Sequence, residues 1–215
     1  MTPSLPLVQK HSELNPAPNL PLSSALIVRD PAPLLQTTLR EWGGGEDFWV
    51  FGYASLIWKP EFVFIERRAA RVHGWHRALK MWSRVNRGSP ECPGLVFGLL
   101  PGGSCQGVVF RIPAAQGRMV LEALWLREMP TGVYDPLWLR CATAAGPITA
   151  LAFTLPRTSP NFTGTLSTAR MQQIFSTAVG RYGSTRDYAQ MTYEGLLREG
   201  IRDKALEAVL RQASS

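Results

Sequence analysis

The segment Phe48-Trp49-Val50-Phe51-Gly52-Tyr53-Ala54-Ser55-Leu56-Ile57-Trp58 is a compact apolar run that passes directly into small residues. Unbroken apolar character over residues 48–53 predicts a buried strand. Where the run becomes Tyr53-Ala54-Ser55-Leu56, small side chains let backbone N–H groups approach a ligand, and such a cluster can hold a carboxylate or an oxyanion. An ordinary buried strand followed by a turn fits the same residues. Ser55 lacks the Gly-x-Ser-x-Gly setting of a covalent nucleophile, and no His has a partner role visible in the sequence.

Working outward, residues 70–83 mix Val72, Trp75, Leu79, Met81 and Trp82 with basic residues, which predicts strand with one exposed face. Residues 95–100 and 107–112 predict two further strands, separated by a turn at Pro101-Gly102-Gly103. After Pro113, the spacing of Met119, Val120, Ala123, Leu124 and Leu126 predicts a helix that ends at Glu128, before Pro130 and Gly132. Strands follow near residues 136–142 and 148–155. Residues 166–212 read as helical, with breaks at Gly195 and Gly200. The fold class is α+β: a mixed, curled sheet or small barrel of about six strands with flanking helices.

Upstream, seven prolines fall within the first 33 residues. Proline removes backbone donors, so residues 1–23 are expected to form a tail or extended arm. Asp30 is placed to cap a short helix through Leu34, Leu35, Leu39 and Trp42, with Pro31 at its first position and Gly43-Gly44-Gly45 ending it. The expected division is an N-terminal arm with a short helix over 1–45, then one catalytic domain over 46–215.

A chain of 215 residues suits one substantial domain. No stretch approaches the roughly 18 consecutive apolar residues of a membrane-spanning helix, and the N-terminus lacks a signal-peptide pattern. Cys92, Cys105 and Cys141 make an odd count without a CxxC pair, which fits a reducing compartment and a cytoplasmic location. A net charge of +7 would assist binding to anions. The basic residues are scattered apart from Glu66-Arg67-Arg68-Ala69-Ala70-Arg71 and the Arg84 to Arg87 turn, so a solvated surface is expected rather than a nucleic-acid face. His73 and His76 lie three apart on a strand and face opposite sides, and no Cys or carboxylate cluster completes a metal site.

Two further stretches bear chemistry. In Trp82-Ser83-Arg84-Val85-Asn86-Arg87-Gly88-Ser89-Pro90-Glu91-Cys92-Pro93-Gly94, Arg87 sits in a turn between strands. Its guanidinium can make a two-pronged contact with a carboxylate, or can simply be a surface arginine on a hairpin; Ser83 is a hydrogen-bonding group or a strand-end residue. In Leu124-Trp125-Leu126-Arg127-Glu128-Met129-Pro130-Thr131-Gly132-Val133-Tyr134, Glu128 follows an apolar helix. A carboxylate in such surroundings is desolvated, which raises its pKa toward that of a useful general base.

These three stretches, in this order, resemble ChaC-type γ-glutamylcyclotransferases. The Phe51 to Trp58 segment is similar to that family's Tyr-Gly-Ser-Leu loop, with Ala54 where the family has glycine. The Arg87 stretch is similar to its Ser…Arg-Gly-Thr-Pro-Glu-x-Pro-Gly pattern, with Asn86 and Ser89 where His and Thr are frequent. The Glu128 stretch resembles its Arg-Glu-Met segment, and Gly195-Leu196-Leu197-Arg198-Glu199-Gly200-Ile201-Arg202-Asp203 its C-terminal helix junction. The resemblance covers residues 48–210. It implies cleavage of glutathione to 5-oxoproline and Cys-Gly without a cofactor, with Glu128 as catalytic base and acid. It further implies that Tyr53, Ala54, Ser55, Leu56, Ser83, Arg87 and Tyr134 bind substrate, and that the partner is a small molecule, with no nucleic acid or membrane. A methyl group at position 54 is tolerable at negative φ and costly at positive φ or against substrate. Another γ-glutamyl compound as substrate, and a non-catalytic ligand-binding module, stay open as alternatives.

Overall fold

In the computed structural model, residues 28–212 are described; the arm expected over residues 1–23 lies outside them. Five strands close into a barrel: β1 (Phe48–Gly52), β2 (Glu66–Ser83), β3 (Gly94–Ile112), β4 (Asp135–Thr143) and β5 (Gly146–Thr154), in the order β1-β3-β2-β4-β5. These pairs are antiparallel, and closure is parallel, with Trp49 of β1 opposite Ala150 of β5 and Val50 opposite Leu151. The mixed, curled sheet read from the sequence is therefore a closed barrel of five strands. A two-residue pair, β6 (Val179–Gly180) and β7 (Gly183–Ser184), forms a separate ribbon. Around the barrel lie α1 (Ala32–Trp42), α2 (Ser55–Trp58), α3 (Ala114–Glu128), α4 (Thr168–Thr177), α5 (Thr185–Arg198) and α6 (Lys204–Gln212).

β1 is covered on both faces, with Phe48, Val50, Phe51 and Gly52 all buried, which accounts for its unbroken apolar run. Val50 and Phe51 are fully buried with Phe110, Leu151 and Phe153. Each such side chain stabilises the fold by about 1.5–3 kcal/mol through removal from water.

Two expectations are corrected. Residues 95–100 and 107–112 belong to one strand, β3, and Pro101-Gly102-Gly103 does not reverse the chain. Gly102 (φ 103°) and Gly103 (φ 72°) lie beside Gly74 (φ 81°) of β2, at a register shift between His73 and Trp75. Both strands bend at the same place, so the ladder continues through the glycines. Gly195 likewise does not break a helix. It lies inside α5, where a Cβ would stand 3.2 Å from that of Trp58, so its bareness admits α2. Gly200 (φ 71°) does follow the end of α5.

Helix α1 begins after Pro31, with Ala32 N–H donating to Asp30 Oδ1 at 2.9 Å, and ends on left-handed Gly43. It packs on α3, where any side chain at Gly117 would overlap the Trp42 indole. Helix α5 starts in a capping box: the Ser184 hydroxyl accepts from Asp187 N–H, and the Asp187 carboxylate accepts from Ser184 N–H.

Candidate active site

Glu128 is the last residue of α3. It lies four residues after Leu124 and seven after Leu121, both buried, so helical periodicity turns it toward the interior. Its side chain keeps 16% of its surface, enough for a ligand to reach. Burial raises the Glu128 pKa; the Arg127 charge and hydrogen bond oppose that, and Glu61 adds to it. Arg127 Nε stands 3.0 Å from Glu128 Oε1, while Arg127 Nη1 donates to the carbonyls of Lys59 and Pro60 and pairs with Glu61 at 3.0 Å. One arginine therefore ties the loop after α2 to the carboxylate.

Three tyrosines surround this group. Tyr53 lies just beyond β1, and its hydroxyl donates to the Phe153 carbonyl at 2.9 Å. Tyr134 lies just before β4, with its hydroxyl within hydrogen-bonding reach of Tyr53. Tyr188 comes from α5. Burial raises all three pKa values, and the Glu128 charge raises each further. All three phenols therefore stay protonated at neutral pH, as hydrogen-bonding groups beside a carboxylate.

The loop after β1 is held from below. The Tyr53 carbonyl accepts from Arg77 Nη1 at 2.7 Å. Ala54 is buried at φ −145°, a negative value that carries no left-handed penalty for a residue with a Cβ. Its carbonyl accepts from Ile57 N–H at 2.9 Å, and that of Ser55 from Lys59 N–H at 2.8 Å. Because α2 begins at Ser55, the N–H groups of Ser55 and Leu56 have no acceptor within their own helix. The Leu56 side chain itself is part of the core.

Arg87 is no surface arginine, being 6% exposed. It donates through Nη1 to the Tyr182 carbonyl and lies over the Tyr188 ring at 5.0 Å. Burial lowers its pKa, against the pull of Tyr188 and Asp187. Ser83 stands one step behind: its hydroxyl accepts from Arg87 N–H at 3.0 Å and so shapes the turn. The fold thus brings Tyr53, Glu128 and Tyr134 together, joins Arg87 to them through Tyr188, and places Ser83 in support.

Tyr188, Arg127 and Arg77 belong to this arrangement and were not singled out by sequence. Arg77 was hidden by the bulge at Gly74. Ala70 and Val72 set the inward parity of β2 before it, and the register shift turns Arg77 and Leu79 inward after it. The Arg77 side chain is 3% exposed, donates to the Gln106 carbonyl at 3.0 Å, and pairs with Asp203. Among the described residues no group of three or more His, Cys, Asp or Glu side chains could hold a metal ion, and no helix is long and apolar enough to cross a membrane.

Residues 48–214 match the family model described as ChaC-like protein. The chain is 31% identical over 163 residues to a glutathione-specific γ-glutamylcyclotransferase of Escherichia coli, covering 75% of this chain and 71% of that protein. It is 33% identical over 141 residues to a glutathione-specific γ-glutamylcyclotransferase 1 of Mus musculus, covering 62% of each. In fold it resembles a crystal structure of a yeast γ-glutamyl cyclotransferase specific to glutathione, with a TM-score of 0.72 at 21% identity, covering 79% of this chain and 96% of that one.

Proposed function

This chain belongs to the ChaC-like family, and from that premise we propose that it releases 5-oxoproline and Cys-Gly from glutathione, with Glu128 as its proton shuttle. The observation that carries this reading is the raised Glu128 carboxyl, set beside three protonated tyrosines and still reachable from outside. A base whose pKa lies nearer the working pH both takes and returns a proton efficiently.

The chemistry needs little beyond shape and one such group. A γ-glutamyl group carries its own nucleophile, and folding it back places the α-amine against the γ-carbonyl in a five-membered ring. Glu128 takes a proton from the α-ammonium, and the freed amine attacks the γ-carbonyl carbon to give a tetrahedral oxyanion. Glu128 returns that proton to the cysteine nitrogen, and the C–N bond to cysteine breaks as the oxyanion collapses. The ring nitrogen then gives up its remaining extra proton, which Glu128 passes to the released amine, leaving 5-oxoproline and the ammonium form of Cys-Gly. Backbone donors of Ser55 and Leu56 hold the γ-oxyanion or the α-carboxylate. The Tyr53 and Tyr134 hydroxyls and Arg87 orient the bent substrate, and Ser83 acts through Arg87. The reaction is assigned to residues 46–215 and to the cytoplasm, since Cys105 and Cys141 are buried free thiols. Its partner is a small molecule alone.

Incubating the purified chain with glutathione, and separately with γ-glutamyl amino acids that lack the Cys-Gly part, tests the reading by mass spectrometry. 5-Oxoproline is expected from glutathione in preference to the others. None from any substrate would end the catalytic reading, and a preference for the simpler compounds would end the glutathione assignment.

Ala54 offers a second check. Because its φ is negative, its methyl group costs the loop no left-handed strain, and Ala54→Gly is expected to leave kcat for glutathione unchanged. Ala54 caps α2 at φ −145° and ψ −116°, where glycine's better fit at a cap offsets its greater freedom in the unfolded chain, so stability is expected to change by less than about 1 kcal/mol. Steady-state kinetics and urea denaturation read the two effects; a large rise in turnover would show that the methyl group obstructs substrate.

A further inference from the structure

The segment ahead of the barrel precedes the stretch matched by the family model, which starts at residue 48, yet it reaches the loop that leaves Glu128. Val28 N–H donates to the Thr131 carbonyl at 2.8 Å. Arg29 Nε donates to the Gly132 carbonyl at 3.0 Å and Arg29 Nη2 to the Tyr134 carbonyl at 2.6 Å; Nη2 also pairs with the Asp135 carboxylate. Gly132 is left-handed (φ 63°), and a Cβ there would overlap the Arg29 carbonyl, so the two backbones touch. Trp125 Nε1 donates to Pro31 O at 3.0 Å, fixing the next part of the segment to α3.

We propose that Arg29 is a positioning residue for the γ-glutamyl site: by holding the Gly132 and Tyr134 carbonyls, it fixes the return loop over residues 129–134 and so sets where Tyr134 stands relative to Glu128. This rests on the role given to Glu128 above. The loop is tied at its start by α3 and at its end by β4, where Thr154 Oγ1 donates to the Asp135 carbonyl at 2.9 Å. Between those ends the left-handed glycine leaves freedom that a planar, forked guanidinium removes by binding two carbonyls at once. Arg29 does not touch the reacting atoms in this reading. It keeps Tyr134 beside Glu128.

The groups facing Glu128 are Arg127 on its own helix, Glu61 from the loop after α2, Tyr53 from the end of β1, Tyr134 from the return loop and Tyr188 from α5. If the return loop loosens, Tyr134 is the member of this set that moves and water replaces it. The Glu128 carboxyl then titrates lower. Loss of the Arg29 positive charge by itself would move it higher, so the sign separates the two effects.

The test uses Arg29→Met in the full chain. Since Arg29 is 39% exposed, the variant is expected to fold, as circular dichroism would show. Its kcat for glutathione should fall roughly tenfold, with KM changing less, as for a small misplacement of catalytic groups. Arg29→Lys, which keeps the charge without the fork, should recover part of that loss. Carbon-detected NMR titration of the Glu128 carboxyl should move downward in Arg29→Met. A folded Arg29→Met protein with wild-type kcat and an unmoved or raised Glu128 titration would overturn the proposal. Should the wild-type chain make no 5-oxoproline, the glutathione reading fails by itself, and the titration alone then decides the role of Arg29.

Discussion

Glu128→Gln is expected to yield a folded protein that releases 5-oxoproline about 10²–10⁴-fold more slowly than the wild type, the range a general acid–base contributes. The amide keeps the shape of the carboxyl and cannot carry the proton. The same substitution has a predicted effect on stability of the opposite sense. Burial raises the Glu128 pKa above its unfolded value. Its contribution to stability is therefore fully present below the unfolded pKa and is lost as pH rises through the folded one. At neutral pH the wild type carries the cost of a desolvated charge and the glutamine variant does not. Arg127 keeps Glu61 and the carbonyls of Lys59 and Pro60 in either case. Thermal melts should place Glu128→Gln at or above the wild type near pH 8, with the two converging near about pH 4. In the wild type, kcat/KM should fall on the acid side at a pH above the ordinary glutamate range. A glutamine variant with full turnover would remove Glu128 from the mechanism.

Arg77→Met should cause the largest loss of stability of any substitution considered, roughly 3–5 kcal/mol in urea denaturation at neutral pH. Methionine fills the space but leaves the Asp203 carboxylate without its charge partner and removes the Arg77 donor from the carbonyls of Tyr53 and Gln106. Burial pushes the Asp203 pKa up; the Arg77 charge and the N–H groups of Leu206 and Ala205 outweigh it, and the net shift is downward. A depressed carboxyl contributes stability above its unfolded pKa and loses it as pH falls through the folded one. The gap between variant and wild type should therefore narrow only in strong acid. A loss below about 1 kcal/mol would mean that solvent screens the pair as it does on a surface. Turnover should fall as well, because the same guanidinium holds the carbonyl from which the loop after β1 departs.

Much of the fold was legible where one physical pattern acts alone. The apolar run of β1, the helix before Glu128 and the left-handed glycine after α1 follow from burial, periodicity and backbone freedom within a few residues. Glycine was the less legible residue, because its bareness serves several ends. At Gly102 and Gly103 it permits a bend that the opposite strand matches, and at Gly195 it admits an indole, whereas the sequence alone reads both as breaks. The site divides in the same way. Glu128 and Arg87 stood out through their local setting, and Tyr53 and Tyr134 through the family resemblance of the stretches that carry them. Arg77 did not, because a bulge several residues away reverses which face it occupies. Tyr188 was read as helix packing, and it does pack, against Phe97 and Trp58, while lending its hydroxyl to the surroundings of Glu128.

Closure of the barrel between its first and last strands also imposes an order in time. β2 and β3 are neighbours in sequence and form a long hairpin early, which then covers one edge of β1. The other edge waits for β5, about 100 residues downstream, and so remote a pairing forms late because loop-closure entropy must be met first. At the ribosomal pace of about 5–20 residues per second, that edge stays open for roughly 5–20 s after β1 emerges. During this interval Val50 and Phe51, destined to be sealed on both sides, are available to other chains. The strand that leads into Tyr53 is thus exposed to association with other chains for the length of time that β5 takes to arrive.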